Sequence, residues 1–255
     1  MPEAALEEAL YRLIYDAAYR AHFLAGRPEL LGLDPEDLAA LDTIDTDQLV
    51  AAATRARTDV LQRRNRGSGT PLERYAGTLR GVDIDGFLDT FLASAAFRAC
   101  SVVGGGTTIE EAVFRHCEEV GIGDPAVREA EWLTAIMAAL VVNPRPDFTV
   151  PVRRQGEGWV EVRRGVLYAA VGGRLTVGSV PPEVAAIVGF GSVDAARAAG
   201  LPAELVNRVA ALGLIDAAGT GGNPADYSPY PANTPSAAAQ NMYPNPTFHP
   251  SSSSP

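Results

Sequence analysis

Between Trp159 and Asp216, three short β-forming runs and three short helical runs follow one another, with glycine or proline at nearly every junction. Trp159-Val160-Glu161-Val162-Arg163 and Val166-Leu167-Tyr168-Ala169-Ala170-Val171 are rich in the β-branched and aromatic residues that suit a pleated surface. Arg164-Gly165 and Gly172-Gly173 stand where tight hairpin turns are needed, and glycine takes positive φ without a Cβ clash. Arg174-Leu175-Thr176-Val177 predicts the third strand. Pro181-Pro182 opens a helix through Ile187, because the first helical turn needs no N–H partner, and Gly189 and Gly191 end it. Ser192 caps a second helix that stops at Gly200. Pro202 starts a third, which places Leu205, Val206, Val209 and Leu212 on one face.

This βββααα order is that of a small winged-helix-like domain, spanning residues 150–218. Residues 1–142 predict an all-helical domain, so the fold class is α+β. Leu6, Leu10, Leu13, Ile14, Ala17, Ala18, Ala21 and Leu24 track a helical period across residues 3–25, and Gly26 and Pro28 stop it. Asp34-Pro35-Glu36-Asp37 supplies an N-cap, a proline at the first helical position and first-turn acids for a short helix to Leu41. Further helices are expected from Asp45 or Thr46 to about Arg64, then over 71–79, 83–100, 107–120 and 124–142. Thr107 with Glu110, or Thr108 with Glu111, can form a capping box. Asn143-Pro144-Arg145-Pro146 marks a link between the two parts. From Gly219 onward, Gly, Asn, Pro, Ser and Tyr dominate, and such a composition buries too little apolar surface to offset chain entropy. Residues 219–255 are therefore expected to be a disordered tail. Tyr227, Tyr230, Tyr243 and Phe248 leave open whether it is a bare extension or a docking segment.

Charge narrows the classes of function. The formal net charge is −10, every cation is arginine, and residues 151–219 carry seven arginines against six acids. A duplex-DNA binder needs a basic face to displace counterions, so nucleic acid is not an expected partner. Five arginines, at 153, 154, 163, 164 and 174, crowd the strand region and suit an acidic peptide better than a polyanion. No apolar run is long enough to cross the hydrocarbon core of a bilayer as a helix, so no membrane is expected. Met1-Pro2-Glu3 leads into a helix without a secretory pattern, and Cys100 and Cys117 read as reduced, buried thiols. The expected location is the cytoplasm.

The inventory for catalysis is thin. His22, His116 and His249 are the histidines. His116-Cys117-Glu118-Glu119 brings metal-ligating types together, but neighbours on a helix point in different directions and at most two face one ion. The chain has no His-x-x-x-His, Cys-x-x-Cys or Gly-x-Ser-x-Gly. Gly104-Gly105-Gly106-Thr107-Thr108 precedes a helix as a phosphate loop does, yet lacks the Gly-Lys-Ser/Thr signature and reads as a helix–helix link. Glu110, Glu111, Glu118 and Glu119, with Glu129 and Glu131 nearby, lack the Glu-x-x-His repeats of a di-iron bundle and read as a solvated helix face. No catalytic residue and no metal ligand is expected.

Two separated regions carry a resemblance. Residues 10–26, Leu-Tyr-Arg-Leu-Ile-Tyr-Asp-Ala-Ala-Tyr-Arg-Ala-His-Phe-Leu-Ala-Gly, are followed by Gly32-Leu33-Asp34-Pro35-Glu36-Asp37-Leu38. They resemble a pattern of the small helical subunit of protocatechuate-type extradiol dioxygenases and of helical partner proteins of peptide-modifying oxidases. Phe87-Leu88 to Ser94, with Phe97-Arg98, is similar to a motif of the latter. The strands and helices ending in Val209-Ala210-Ala211-Leu212-Gly213-Leu214-Ile215 resemble the recognition element of ribosomally synthesised peptide pathways. Over residues 5–216 the chain resembles the accessory subunit paired with multinuclear non-haem iron-dependent oxidases of the methanobactin and thiaglutamate type.

The resemblance implies a non-catalytic subunit of a heterodimer. The iron lies in the partner oxidase and no cofactor in this chain, which holds the leader of a precursor peptide and presents it. By analogy the leader adds as a strand beside Arg174, Leu175, Thr176 and Val177 and packs on the third helix around Leu205, Arg208, Val209 and Leu212. Two other readings stay open at this point: the helical subunit of an extradiol-type dioxygenase, and an acidic winged-helix regulator.

Overall fold

The computed structural model describes residues 2–27, 32–62, 69–101, 108–144, 146 and 150–218. The expected tail and the Gly104–Thr107 loop lie outside the described residues. Among those described, the architecture is α+β, with helices before and after a four-stranded antiparallel sheet. The chain divides into two compact units, the first running to Ala135 and the second comprising Ile136–Pro146 and the chain from Val150. The division thus falls inside a helix, ahead of the Asn143-Pro144 link.

The N-terminal unit is built from α1 (Pro2–Tyr15), α2 (Ala17–Leu24), α3 (Pro35–Leu41), α4 (Thr46–Gln62), α5 (Pro71–Arg74), α6 (Ile84–Leu92), α7 (Ala95–Ser101), α8 (Ile109–Glu119) and the first part of α9 (Pro125–Val142). Several termini follow from side chains seen in the sequence. Asp34 accepts from the N–H groups of Glu36 and Asp37, Asp45 from those of Asp47 and Gln48, and Thr108 from that of Glu111. The helix expected over 3–25 is two helices, because the Asp16 carboxylate accepts from Tyr19 N–H and caps a new start in mid-run. The helix expected over 83–100 likewise breaks at Ser94, whose hydroxyl accepts from Phe97 N–H. The helix expected over 71–79 is only the single turn α5, where Thr70 and Glu73 form a capping box.

Two packed clusters hold this unit. Leu13, Tyr19, Leu41 and Leu49 join α1 to α4, and Tyr75, Phe87, Leu88, Phe91, Phe97, Ile109, Val113 and Cys117 join α6, α7 and α8. The acids expected on a solvated helix face are only partly there. Glu110 is 2% exposed and pairs with the similarly buried Arg74. Glu131 accepts from Gly77 N–H (2.7 Å), Thr78 N–H (2.9 Å) and the Thr78 hydroxyl (2.6 Å), fixing the turn after α5 to α9. Glu118 and Glu119 do face solvent.

The C-terminal unit contains β1 (Arg153–Gln155), β2 (Gly158–Arg163), β3 (Val166–Val171) and β4 (Arg174–Ser179), in that spatial order, then α10 (Pro182–Phe190), α11 (Val193–Ala198) and α12 (Ala203–Ala211). β1 is one strand more than the sequence predicted. It carries no β-branched or aromatic residue and exists through its pairing with β2 and through Gln155, whose buried amide donates to the carbonyls of Val188 (3.1 Å) and Leu214 (2.8 Å). Both residues of the Arg164-Gly165 turn have positive φ, 52° and 75°, and Gly172-Gly173 repeats this at 57° and 73°. A two-residue turn matched to the twist of its strands requires that conformation. Val160, Leu167 and Ala169 of the sheet meet Ile187, Val188, Val193, Ala196, Val206, Val209 and Ile215 of the helical layer in one core.

Gln155→Ala removes the side-chain donor to the Leu214 carbonyl and one of two donors to that of Val188, which also accepts from Gly191 N–H. We expect a loss of about 1–3 kcal/mol, read as a lowered denaturant midpoint with an unchanged slope.

Candidate peptide-docking edge

β4 is the longer of the two edge strands of the sheet, six residues against three in β1. It pairs with β3 residue for residue from Val171↔Arg174 to Val166↔Ser179, without a bulge. Its other side has no strand partner among the described residues. Val171 and Arg174 close a two-residue turn and so exchange both main-chain hydrogen bonds. The alternation of an antiparallel ladder then sends the N–H and C=O groups of Arg174, Thr176 and Gly178 towards β3, and those of Leu175, Val177 and Ser179 outward. Sheets commonly blunt such an edge with proline, bulges or very short strands. β4 is six residues long and has none of these.

Neither face of β4 is covered in the manner of its neighbour. In β3, Leu167, Tyr168, Ala169 and Ala170 are all buried, whereas Arg174, Leu175 and Thr176 are exposed and Val177 is half-buried. Cross-strand partners share a face, so Thr176 and Gly178 stand beside Ala169 and Leu167 on the side of the helical core. No β4 residue belongs to that core. A Cβ built on Gly178 would meet nothing within 4 Å, so open space lies over the strand there. Leu175 (40% exposed) and Val177 lie on the opposite face, in register with Ala170 and Tyr168.

The end of α12 reaches the start of this edge. Gly213, just beyond the helix, sits so close to Val171 Cγ1 that an added Cβ would be 3.1 Å from it, and Val171 is the register partner of Arg174. Arg174 and Leu212 are thereby brought to one end of the unit. The four expected helix positions separate physically. Arg208 is exposed, Leu205 is half-buried against the core, and Val209, 3% exposed, is part of the core itself. Val209 therefore anchors α12 to the core. Leu212, expected on one face with Leu205, Val206 and Val209, is 66% exposed, because α12 ends at Ala211 and the chain turns at Gly213 with φ 71°. Sequence reasoning stopped the strand at Val177 and missed Gly178 and Ser179. The Ser179–Val180–Pro181 step into α10 was the signal that the strand runs on.

Among the described residues, His116 and Cys117 are packed into the core of the N-terminal unit. His116 is buried against the rings of Phe87 and Phe91. The Thr90 hydroxyl donates to Phe87 O (2.9 Å) and so accepts from His116 Nε2 (3.1 Å), leaving Nδ1 as an unprotonated atom with no partner. Burial lowers the pKa of this imidazole. Burial also pushes the Cys117 thiol up to about 11, which makes it a poor nucleophile. Cys100 is half-buried rather than fully buried. Among the described residues no group of three or more His, Cys, Asp or Glu side chains is placed to share a metal ion. No helix among them is long and apolar enough to cross a membrane.

The histidine has a consequence for stability. Its unfolded-state pKa is near 6.5 and its folded-state value is lower. The unfolded chain therefore takes up the proton first, and stability present above about pH 6.5 is lost as pH falls through and below that value. Thermal unfolding between pH 7 and pH 5 should show this slope, and His116→Gln should reduce it.

No protein family, curated protein or solved structure matches the chain.

Proposed function

We propose that the chain is a non-catalytic peptide-capture subunit, which takes the leader of a ribosomally made precursor as an added strand along β4 and presents it to a multinuclear non-haem iron oxidase. The observation that supports this most directly is the bulge-free outer edge of β4, which leaves outward main-chain groups at Leu175, Val177 and Ser179 beside an uncovered face. Main-chain hydrogen bonds along such an edge give affinity, and flanking side chains give register. Here the flanking groups are Thr176 and Gly178 on the helix side, Leu175 and Val177 on the other, and Arg174, Arg208 and Leu212 towards the end of α12. The four-stranded sheet followed by three helices is compatible with a winged-helix-like recognition element, β2 to β4 taking the place of its three strands and β1 being an addition. The two exposed arginines favour a leader with acidic residues at one end.

The test uses a labelled synthetic peptide covering the N-terminal half of a short precursor encoded beside this chain's gene. Saturable binding, accompanied by amide shifts confined to residues 174–179 and 205–212, is expected. Binding with no change at β4, or gene neighbours that include neither an iron oxidase nor a precursor, would remove the proposal.

A further inference from the structure

A pocket of about 90 Å³ opens between α1, α2 and α4 in the N-terminal unit, with Ile14, Ala17, Val50, Arg20, Arg57 and Asp89 in its wall. The charges around it are unequally matched. Arg57 binds Asp85 through Nη2 (2.9 Å) and Asp89 through Nη1, and Arg12 holds Asp16 (3.0 Å). Among the described residues Arg20 has no carboxylate within ion-pair distance, although Asp89 and Asp16 are near enough to favour its charged form. Its Nη1 donates to Leu13 O and Ile14 O, each at 3.0 Å, at the end of α1. That fixes the guanidinium in place while its Nε and Nη2 donors remain unused. Burial lowers the pKa of Arg20, the mark of a cation partly stripped of water.

Three exposed aliphatic side chains lie in the pocket wall or one helical turn from it. Leu10 lies one turn before Ile14 on α1, Leu24 lies one turn after Arg20 on α2, and Val50 is itself part of the wall. Single exposed aliphatics are ordinary, but three from three helices around one charged pocket form a patch of the kind that a partner covers. We propose that the pocket receives the carboxylate of a glutamate or aspartate on a partner protein, whose neighbouring apolar residues rest on Leu10, Leu24 and Val50. The guanidinium edge left free by the two carbonyl contacts matches a planar carboxylate, a pairing for which arginine is better shaped than lysine. The volume, about that of three water molecules, admits a carboxylate on a short stem. An arginine contact ringed by apolar groups, desolvated once a partner covers it, is also the usual composition of an interface hot spot. This site is separate from β4, and its standing does not depend on what β4 binds.

Propionate, which reproduces the end of a glutamate side chain, is the first probe. The Arg20 Nε–H resonance should shift saturably with a dissociation constant on the order of 10 mM, since a lone carboxylate leaves the aliphatic rim uncovered. Propionamide should leave it unmoved. The peptide acetyl-Leu-Glu-Leu-amide should bind at least about tenfold more tightly than propionate (about 1.4 kcal/mol), and Leu24→Asp should cancel that gain. Val50→Glu, at an exposed position, should shift the Arg20 resonance without added ligand and abolish the response to propionate. Saturation by propionate below about 0.1 mM would overturn the assignment to a partner side chain in favour of a free small acid. Absence of any saturable shift would overturn the site.

Discussion

Val177→Pro is expected to weaken capture of an extended peptide at β4 by roughly 10–100-fold while the sheet stays folded. The direction of each main-chain N–H decides the outcome. Val177 N–H points away from β3, so replacing it with proline removes no bond of the existing ladder, and proline is tolerated at an edge strand in that orientation. An incoming strand loses a central donor and meets the pyrrolidine ring where it must approach. Thr176→Pro supplies the contrast, because Thr176 N–H points towards Ala169 and its loss breaks the β3–β4 pairing itself. The first variant should melt close to the parent chain and fail to bind, and the second should melt early. A Val177→Pro chain that binds its leader as well as the parent would show that the edge is not the docking line.

The largest effect on stability is expected at Arg74 and Glu110. Their side chains are 6% and 2% exposed and are paired, with Arg74 also donating to Gly69 O (2.9 Å). Burial lowers the Arg74 pKa, so the pair is held against the cost of desolvation. Arg74→Ala removes the cation paired with the buried Glu110 carboxylate and should cost about 3–5 kcal/mol. Replacing both together, as Arg74→Met with Glu110→Leu, should recover most of that loss, since an apolar pair of similar volume needs no desolvation. Chemical denaturation of the two single variants and the double variant measures the coupling directly. Additive losses would mean that the two side chains do not act as a pair.

Features that depend on a residue and its immediate neighbours were legible in the sequence. Asp34, Thr108 and Ser192 cap helices because an oxygen on a short side chain reaches an N–H two or three residues on, whatever the rest of the chain does. The turns at Arg164-Gly165 and Gly172-Gly173 were legible for the same reason. What escaped depends on distant partners. β1 has an unremarkable Arg-Arg-Gln sequence and owes its existence to carbonyls 33 and 59 residues further along. Glu110 resembled a solvated acid until Arg74, 36 residues earlier, was brought against it. Asp16 lay inside a continuous apolar period, and periodicity does not register a side chain that caps a new start. At the candidate site, the edge character of β4 followed from strand order. The division of Val209 and Leu212 into anchor and exposed tip did not, because it turns on where α12 stops.

The stitching of β1 to the end of the C-terminal unit has one more implication. Gly156 N–H reaches the Asp216 carboxylate (2.8 Å), Glu157 N–H reaches Gly213 O (2.9 Å), and Gly156 approaches Gly213 so closely that any Cβ there would collide with its carbonyl. Entry and exit of residues 153–216 are thus neighbours in space. A segment closed in this way puts its two ends together at one place, the arrangement that loop insertion and circular permutation require.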